Sequence, residues 1–118
     1  MRIGELARRA GVSTSKIRFY EAQGLLSAAV RLPNGYRDYG DHDLEVVKFI
    51  GRAQSLGFTL RDVAAHLRSP QGDARKARLQ ARLEGKLAEL DVHLEQVRVR
   101  RVVLLNLIDE VRGARTTV

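Results

Sequence analysis

The stretch "IGELARRAGVSTSKIRFYEAQGLL", residues 3–26, contains two short helical patterns separated by a glycine. The first pattern has apolar residues at helical spacing and ends at Gly11. Ser13 is a favourable N-cap for a second helix, which we expect to end near Gly24. Two helices joined by a turn of three or four residues form a helix-turn-helix. The pattern therefore favours DNA binding, although an ordinary corner between two helices would show the same sequence pattern.

The second predicted helix carries two adjacent aromatic residues, which cannot both enter the same core. At about 100° per residue, Tyr20 falls on the side of the apolar Ile17, which should face the first helix. The opposite side consists of Ser15, Lys16, Arg18 and Phe19. An aromatic ring between two cations fits a DNA backbone or a thymine methyl group, so these four residues are candidate DNA contacts. Packing of Phe19 under the following hairpin is the alternative.

The stretch "RLPNGYRDYG", residues 31–40, breaks the helical period. Its Asn-Gly pair is typical of a two-residue hairpin turn in which both residues have positive φ, so residues 30–40 are predicted to form a two-stranded wing. A glycine at the turn would also let the main chain approach a phosphate closely. The candidate backbone contacts of the wing are Arg31, Gly35, Tyr36 and Arg37.

A second pair of helices is predicted between residues 41 and 68. Asp41 or Asp43 should cap a helix that ends near Leu56, and Thr59 should cap the next one. The predicted inward residues are Leu44, Val47, Ile50 and Leu56 in the first helix and Leu60, Val63, Ala64 and Leu67 in the second. Arg61, beside a helix N-terminus, is either a phosphate contact or an ordinary solvated residue.

From residue 73 to residue 112 the chain has no proline and reads as one long helix. Apolar residues step by alternating fours and threes, which is typical of a coiled coil. The seam consists of Leu83, Leu87, Leu90, Leu94, Val97, Arg101, Leu104, Ile108 and Val111. A second copy of the chain is the expected partner, and folding back along the chain's own domain is the alternative. Arg101 interrupts the seam, where a polar residue can set the register or reach out to the edge.

The composition limits the classes of function. The chain has 118 residues with a net charge of +7, which favours a polyanionic partner, nucleic acid before membrane. It contains no cysteine, which excludes thiolate metal sites and cysteine nucleophiles, and its three histidines are scattered. We find no catalytic motif or apolar run long enough to span a membrane. We therefore expect no enzyme and no cofactor, but an intracellular, cytoplasmic protein.

Three motifs occur in order: residues 3–26 with their "IRFYE" and "GLL", the "RLPNGYRDY" of residues 31–39, and "LEVVKFIGRAQSLGFTLRDVAAHL" at residues 44–67. Together they resemble the MerR family of bacterial transcription regulators. The resemblance implies a mainly α fold, with a winged helix-turn-helix DNA-binding domain at residues 1–70. It further implies a dimerisation helix at residues 73–112 that forms an antiparallel dimeric coiled coil. Residues 113–118 would be a short tail without an effector domain.

The resemblance also implies what the protein contacts. The family's recognition-helix signature matches Arg18, Phe19 and Tyr20, and its wing matches Arg31, Asn34, Gly35, Tyr36 and Arg37. It implies a homodimer that bends and untwists double-stranded promoter DNA, with RNA polymerase as a further partner. The cysteines used by the metal- and redox-sensing branches are lacking. An architectural, excisionase-like DNA-bending protein is the first alternative, and an adaptor that recruits a different helical partner through the seam is another.

Overall fold

A computed structural model describes residues 1–26 and 30–113 of the chain, with the backbone only at residues 30 and 31. Five helices and two short strands make up this part of the chain. In order, they are α1 (Ile3–Ala10), α2 (Thr14–Ala22), β1 (Val30–Arg31), β2 (Arg37–Asp38), α3 (Asp41–Ser55), α4 (Leu60–Arg68) and α5 (Asp73–Arg112). The chain divides into two compact units, Met1–Arg75 and Lys76–Val118. The predicted mainly α fold, with a helix-turn-helix, a wing and one long C-terminal helix, is confirmed.

The helix-turn-helix forms because the turn between its helices satisfies the free backbone groups at both ends. Gly11 adopts φ 70°, a left-handed conformation that glycine tolerates, and its N–H donates to carbonyls of the last turn of α1. The Ser13 hydroxyl accepts from the Lys16 N–H at 3.1 Å and caps α2. The predicted N-cap is therefore confirmed, and α2 ends at Ala22, close to the predicted limit.

The second helical pair follows the predicted pattern with two corrections. Thr59 caps α4 as predicted, in a reciprocal box with Asp62. The N-cap of α3, however, is Gly40, and Asp43 stabilises it from three residues later by accepting from the Gly40 N–H at 2.9 Å. Leu56 was expected to face inward but is 44% exposed, because α3 ends one residue earlier and the chain turns there.

The wing is a two-stranded antiparallel hairpin with a different turn from the one predicted. Arg31 pairs with Arg37, and the Leu32 N–H donates to the Tyr36 carbonyl at 2.7 Å, so that residues 33–35 form a three-residue loop. Within it, the Gly35 N–H donates to the Leu32 carbonyl at 2.9 Å. Pro33 occupies the first turn position, where its fixed φ is favourable, and Gly35 takes the left-handed conformation with φ 84°. The expectation of a two-residue Asn-Gly turn was wrong because Pro33 shifts the turn by one residue.

The hydrophobic core of the first unit joins all of its helices and the end of the wing. Leu6, Ile17 and Ile50 are completely buried at its centre, and Tyr39 from the wing is 2% exposed. The other buried apolar members are Ala7, Tyr20, Leu25, Leu26, Val47, Ala53, Val63 and Ala64. The core is mostly aliphatic, and its two tyrosines come from the two elements that form the candidate site.

Helix α5 has 40 residues, none of them buried. Within the first unit, the Arg75 guanidinium donates to the Ser69 carbonyl at 3.0 Å and to His66 Nε2 at 3.3 Å. These bonds tie the start of α5 to the end of α4. The His66 ring also contacts that of Phe49 in a tilted arrangement, with 5.4 Å between ring centroids, so this histidine has a structural role. Within residues 1–26 and 30–113 no helix is long and apolar enough to span a membrane.

Candidate nucleic-acid interface

Helix α2 separates its two aromatic residues onto opposite faces. Ile17 is completely buried and Tyr20 is 2% exposed, whereas Phe19 is 48% exposed. The two rings diverge, with centroids 6.1 Å apart and planes inclined by 51°. Burial of Tyr20 follows the prediction from helical spacing. The exposure of Phe19 disfavours the alternative in which its ring packs under the wing.

The outward face of α2 contains the remaining predicted contacts of this helix. Ser15, Lys16 and Arg18 are all exposed and lie on the same side as Phe19. Among the described residues, no carboxylate forms an ion pair with Lys16 or Arg18. The face thus presents hydrogen-bond donors, uncompensated positive charge and one aromatic ring, a combination that suits a phosphate backbone and base edges.

Tyr20 is a correction to the predicted set of contacts. Its ring lies in the core between the helices, so its side chain is not available to DNA in this conformation. The family signature places it beside Phe19 in sequence, but the 100° step of the helix turns it inward. Tyr20 packs in the core beneath the outward face of α2.

Glu21 connects the wing to α2. Its carboxylate, on a side chain 12% exposed, forms an ion pair with the guanidinium of Arg37, and the Tyr39 hydroxyl donates to its Oε2 at 3.1 Å. Burial raises the pKa of Tyr39, and the hydrogen bond to Glu21 raises it further. Hydrogen bonding to Tyr39 and to Glu21 also raises the pKa of Arg37. One carboxylate of α2 therefore holds both Arg37 of β2 and Tyr39, which directly follows β2.

This network changes the role of Arg37. The sequence predicts a backbone contact, whereas its guanidinium is engaged by Glu21 and the side chain is 41% exposed. The ion pair gives Arg37 a structural role in the wing, and a DNA backbone contact by this residue stays a prediction. The sequence pattern missed Glu21 as a functional residue, since its partners lie 16 and 18 residues further along the chain.

The start of the chain adds a second anchor. Met1 and Tyr39 exchange two hydrogen bonds, each 2.7 Å long, so Met1 extends the edge of the wing. The N-terminal ammonium also pairs with Asp38 at 2.9 Å, and the Arg2 guanidinium carbon lies 4.2 Å from the centroid of the Tyr36 ring. Sequence analysis missed these contacts as well, because they join residues 34 to 38 positions apart.

Of the other predicted wing residues, two form the turn and one has an exposed side chain. Asn34 uses its Oδ1 to accept from the Tyr36 N–H at 3.1 Å, so this oxygen stabilises the turn. Gly35 provides the left-handed φ, and a Cβ added there would meet no atom within 4 Å, so the loop tip is open. Tyr36 is 54% exposed. The side chain of Arg31 lies outside the described residues.

Arg61 is exposed in the first turn of α4. The helix N-terminus beside it is partly satisfied, because Asp62 and Thr59 cap each other. A phosphate contact by Arg61 stays a prediction. Among the described residues, no group of three or more histidine, aspartate or glutamate side chains could hold a metal ion.

On α5 the predicted dimerisation seam is exposed along its whole length. Its apolar members are between 38% and 63% exposed: Leu83, Leu87, Leu90, Leu94, Val97, Leu104, Ile108 and Val111. Arg101 is also exposed, at the predicted interruption of the seam. A helix with such a stripe in water gains stability when a partner buries the stripe.

Comparisons with known proteins agree with this geometry. The family model described as "MerR HTH family regulatory protein" matches residues 1–69, and the one described as "MerR, DNA binding" matches residues 44–107. The chain is 48% identical over 63 residues to the transcriptional regulator HmrR of Sinorhizobium medicae. That match covers 53% of this chain and only 43% of HmrR.

Longer matches extend over the whole fold. An HTH-type transcriptional regulator of Pseudomonas aeruginosa is 35% identical over 114 residues, covering 96% of this chain and 86% of that protein. The crystal structure of the N-terminus of MtaN, the multidrug transporter activator of Bacillus subtilis, superposes with a TM-score of 0.63. It is 30% identical and covers 89% of this chain and 98% of that chain. This chain therefore belongs to the MerR family of DNA-binding transcription regulators.

Proposed function

We propose that the chain binds promoter DNA with the outward face of α2 in a major groove and the wing against the flanking backbone. The observation that carries this proposal is the partition of α2. Ile17 and Tyr20 fill the core, while Phe19 remains half exposed. Beside it lie Lys16 and Arg18, which form no ion pair with any carboxylate of the described residues. Arg18 and Lys16 supply donors for phosphates and guanine edges, and Phe19 supplies an apolar surface.

The wing supports this placement because two of its residues bond to α2. Glu21 connects to both Arg37 and Tyr39, so the positions of the helix and of the wing are set by the same carboxylate. Tyr36 at the wing and the open backbone at Gly35 then contact the sugar-phosphate backbone. Asn34 and Arg31 belong to the proposed wing contacts, as does Arg61 at the second helical pair.

We further propose that the functional species is a homodimer formed by antiparallel pairing of α5. The support is the 40-residue helix without a buried residue and the exposed seam along it. Two-fold symmetry would present two recognition helices to a pseudo-palindromic operator. We infer that the dimer bends and untwists the DNA between its half-sites, with RNA polymerase as a further partner in the cytoplasm.

The family consists of transcription regulators, and we propose no catalytic activity for the chain. Neither the comparisons nor the described residues favour the architectural, excisionase-like alternative. That alternative predicts DNA bending without strong sequence preference, so a selection experiment separates the two.

The test is enrichment of bound duplexes from a random library, with the parent and the Arg18→Ala variant handled in parallel. The proposed function predicts two inverted half-sites for the parent and much weaker enrichment of those half-sites for Arg18→Ala. Arg8→Ala is the matched control, since it removes one exposed cation from α1 in the same unit. Failure of the parent to enrich any sequence would refute the proposal. Sedimentation equilibrium would test the dimer separately.

A further inference from the structure

A groove runs between the start of α1, the outer side of α2 and the wing. We call it the wing groove, and the residues that matter for its charge are Arg2, Glu5, Arg18, Glu21, Tyr36 and Arg37. Both of its carboxylates are already neutralised. Glu5 forms an ion pair with Arg9 at 2.8 Å, and Glu21 pairs with Arg37.

Two arginines of the wing groove have no such compensation. Among the described residues, no carboxylate lies within ion-pair distance of Arg2 or Arg18. The nearby Asp38 of the wing is engaged by the N-terminal ammonium. The wing groove therefore carries local positive charge and would attract an anion.

Arg2 is held at the wing by an aromatic ring. Its guanidinium carbon lies 4.2 Å above the Tyr36 ring centroid, a separation typical of a cation–π contact. Stacking uses the flat face of the guanidinium and leaves the N–H groups along its edge free to donate. Such a group is pre-organised for a phosphate, which it can bind through two parallel hydrogen bonds.

We propose that Arg2, held by Tyr36, binds a phosphate of the operator backbone, and so extends the DNA interface beyond α2 and the wing to the start of α1. The inference rests on the proposed function, because the anion is the backbone of DNA bound to α2. It adds a contact that sequence analysis did not predict, since Arg2 lies before the first helix and reaches the wing only in the folded chain. A backbone contact positions the protein without reading sequence.

The experiment measures affinity for the enriched operator and for an unrelated duplex as the salt concentration is varied. Each phosphate contact contributes about 0.9 to the slope of log K against log salt. Arg2→Ala should lower that slope by about 0.9 per head, or about 1.8 for a dimer. Affinity should fall on the order of tenfold, by a similar factor for both duplexes. Arg2 is exposed and its side chain makes no capping hydrogen bond to α1, so the variant should fold.

Two further variants define the contact. Arg8→Ala removes a positive charge from the same helix outside the wing groove and should leave the slope unchanged. Arg2→Lys keeps the charge but loses the planar fork, so it should recover the slope and only part of the affinity.

The inference would be overturned if Arg2→Ala kept the parent slope, whether or not affinity fell, because the side chain would then touch no phosphate. It would also be overturned if Arg8→Ala lowered the slope as much as Arg2→Ala. Failure of the proposed function looks different, since the parent protein itself would then show no preference for the operator over the unrelated duplex.

Discussion

Replacing Glu21 with alanine should loosen the wing and weaken DNA binding together. The Tyr39 hydroxyl donates to Glu21 at 3.1 Å, and Tyr39 is only 2% exposed. Removal of the carboxylate takes away the acceptor of this part-buried hydroxyl, while the Arg37 guanidinium stays beside it as a hydrogen-bond partner. The loss of one hydrogen bond whose donor keeps a second polar neighbour costs about 1 kcal/mol, so we expect the free energy of unfolding to fall by about that amount.

The ion pair with Arg37 adds little to this cost, because that guanidinium is well hydrated. Urea denaturation followed by circular dichroism measures the loss, and fluorescence anisotropy with labelled operator measures affinity. Because the wing is no longer fastened to α2, we expect operator affinity to fall in Glu21→Ala even at temperatures where the protein is fully folded. Dimerisation through α5 should not change.

A double-mutant cycle isolates the hydrogen bond from other effects of the substitution. Tyr39→Phe removes the same bond from the other side, so the double variant should be less destabilised than the sum of the two single variants, by up to about 1 kcal/mol. Glu5→Ala is the matched control, because it removes an exposed i,i+4 pair with Arg9 worth about 0.3 kcal/mol. If Glu21→Ala proved no more destabilising than Glu5→Ala, the reasoning about wing anchoring would be refuted.

Three further predictions concern the recognition face, the seam and pH. Arg18→Ala should lower operator affinity by about 10- to 100-fold with unchanged unfolding, since the side chain is exposed; equal affinity in an anisotropy titration would contradict the assignment. Leu94→Asp should dissociate the dimer in sedimentation equilibrium and weaken operator binding, whereas Val92→Asp, exposed off the seam, should leave the dimer intact. The folded-state pKa of Tyr39 is raised above its ordinary value of 10. The neutral hydroxyl therefore contributes fully to the free energy of unfolding below pH 10, and this contribution is lost as the pH rises through the folded-state pKa. Denaturation at a series of alkaline pH values should show this extra loss in the parent but not in Tyr39→Phe.

Sequence reasoning located the elements of this fold where local signals are strong. Ser13 and Thr59 cap their helices by bonds to residues three positions later, which a sequence pattern can detect. The inward direction of Tyr20 and the outward direction of Phe19 follow from the helical period alone. Leu56 was misplaced because periodicity gives the face of a residue but not the end of its helix.

The contacts that organise the candidate site were harder to predict because they join distant parts of the chain. Glu21 meets residues of the wing, and Met1 and Arg2 meet Tyr39 and Tyr36, across 16 to 38 positions of sequence. No local sequence pattern predicts such pairs, because they form only when the folded chain brings distant residues together. Pro33 is a local signal for the observed turn register, but the adjacent Asn-Gly pair is an equally local signal for a different one.

The central claim is that the outward face of α2 and the wing recognise a specific, distorted DNA site. The measurement that tests it most directly is a footprint of the purified protein on DNA upstream of its own gene, with titrated salt and a chemical probe for distorted base pairs. The account predicts a protected site with two-fold symmetry, reactive base pairs at its centre, and loss of both with Arg18→Ala. Diffuse protection that disappears with moderate salt and has no reactive centre would contradict it, because that is the behaviour of non-specific backbone binding.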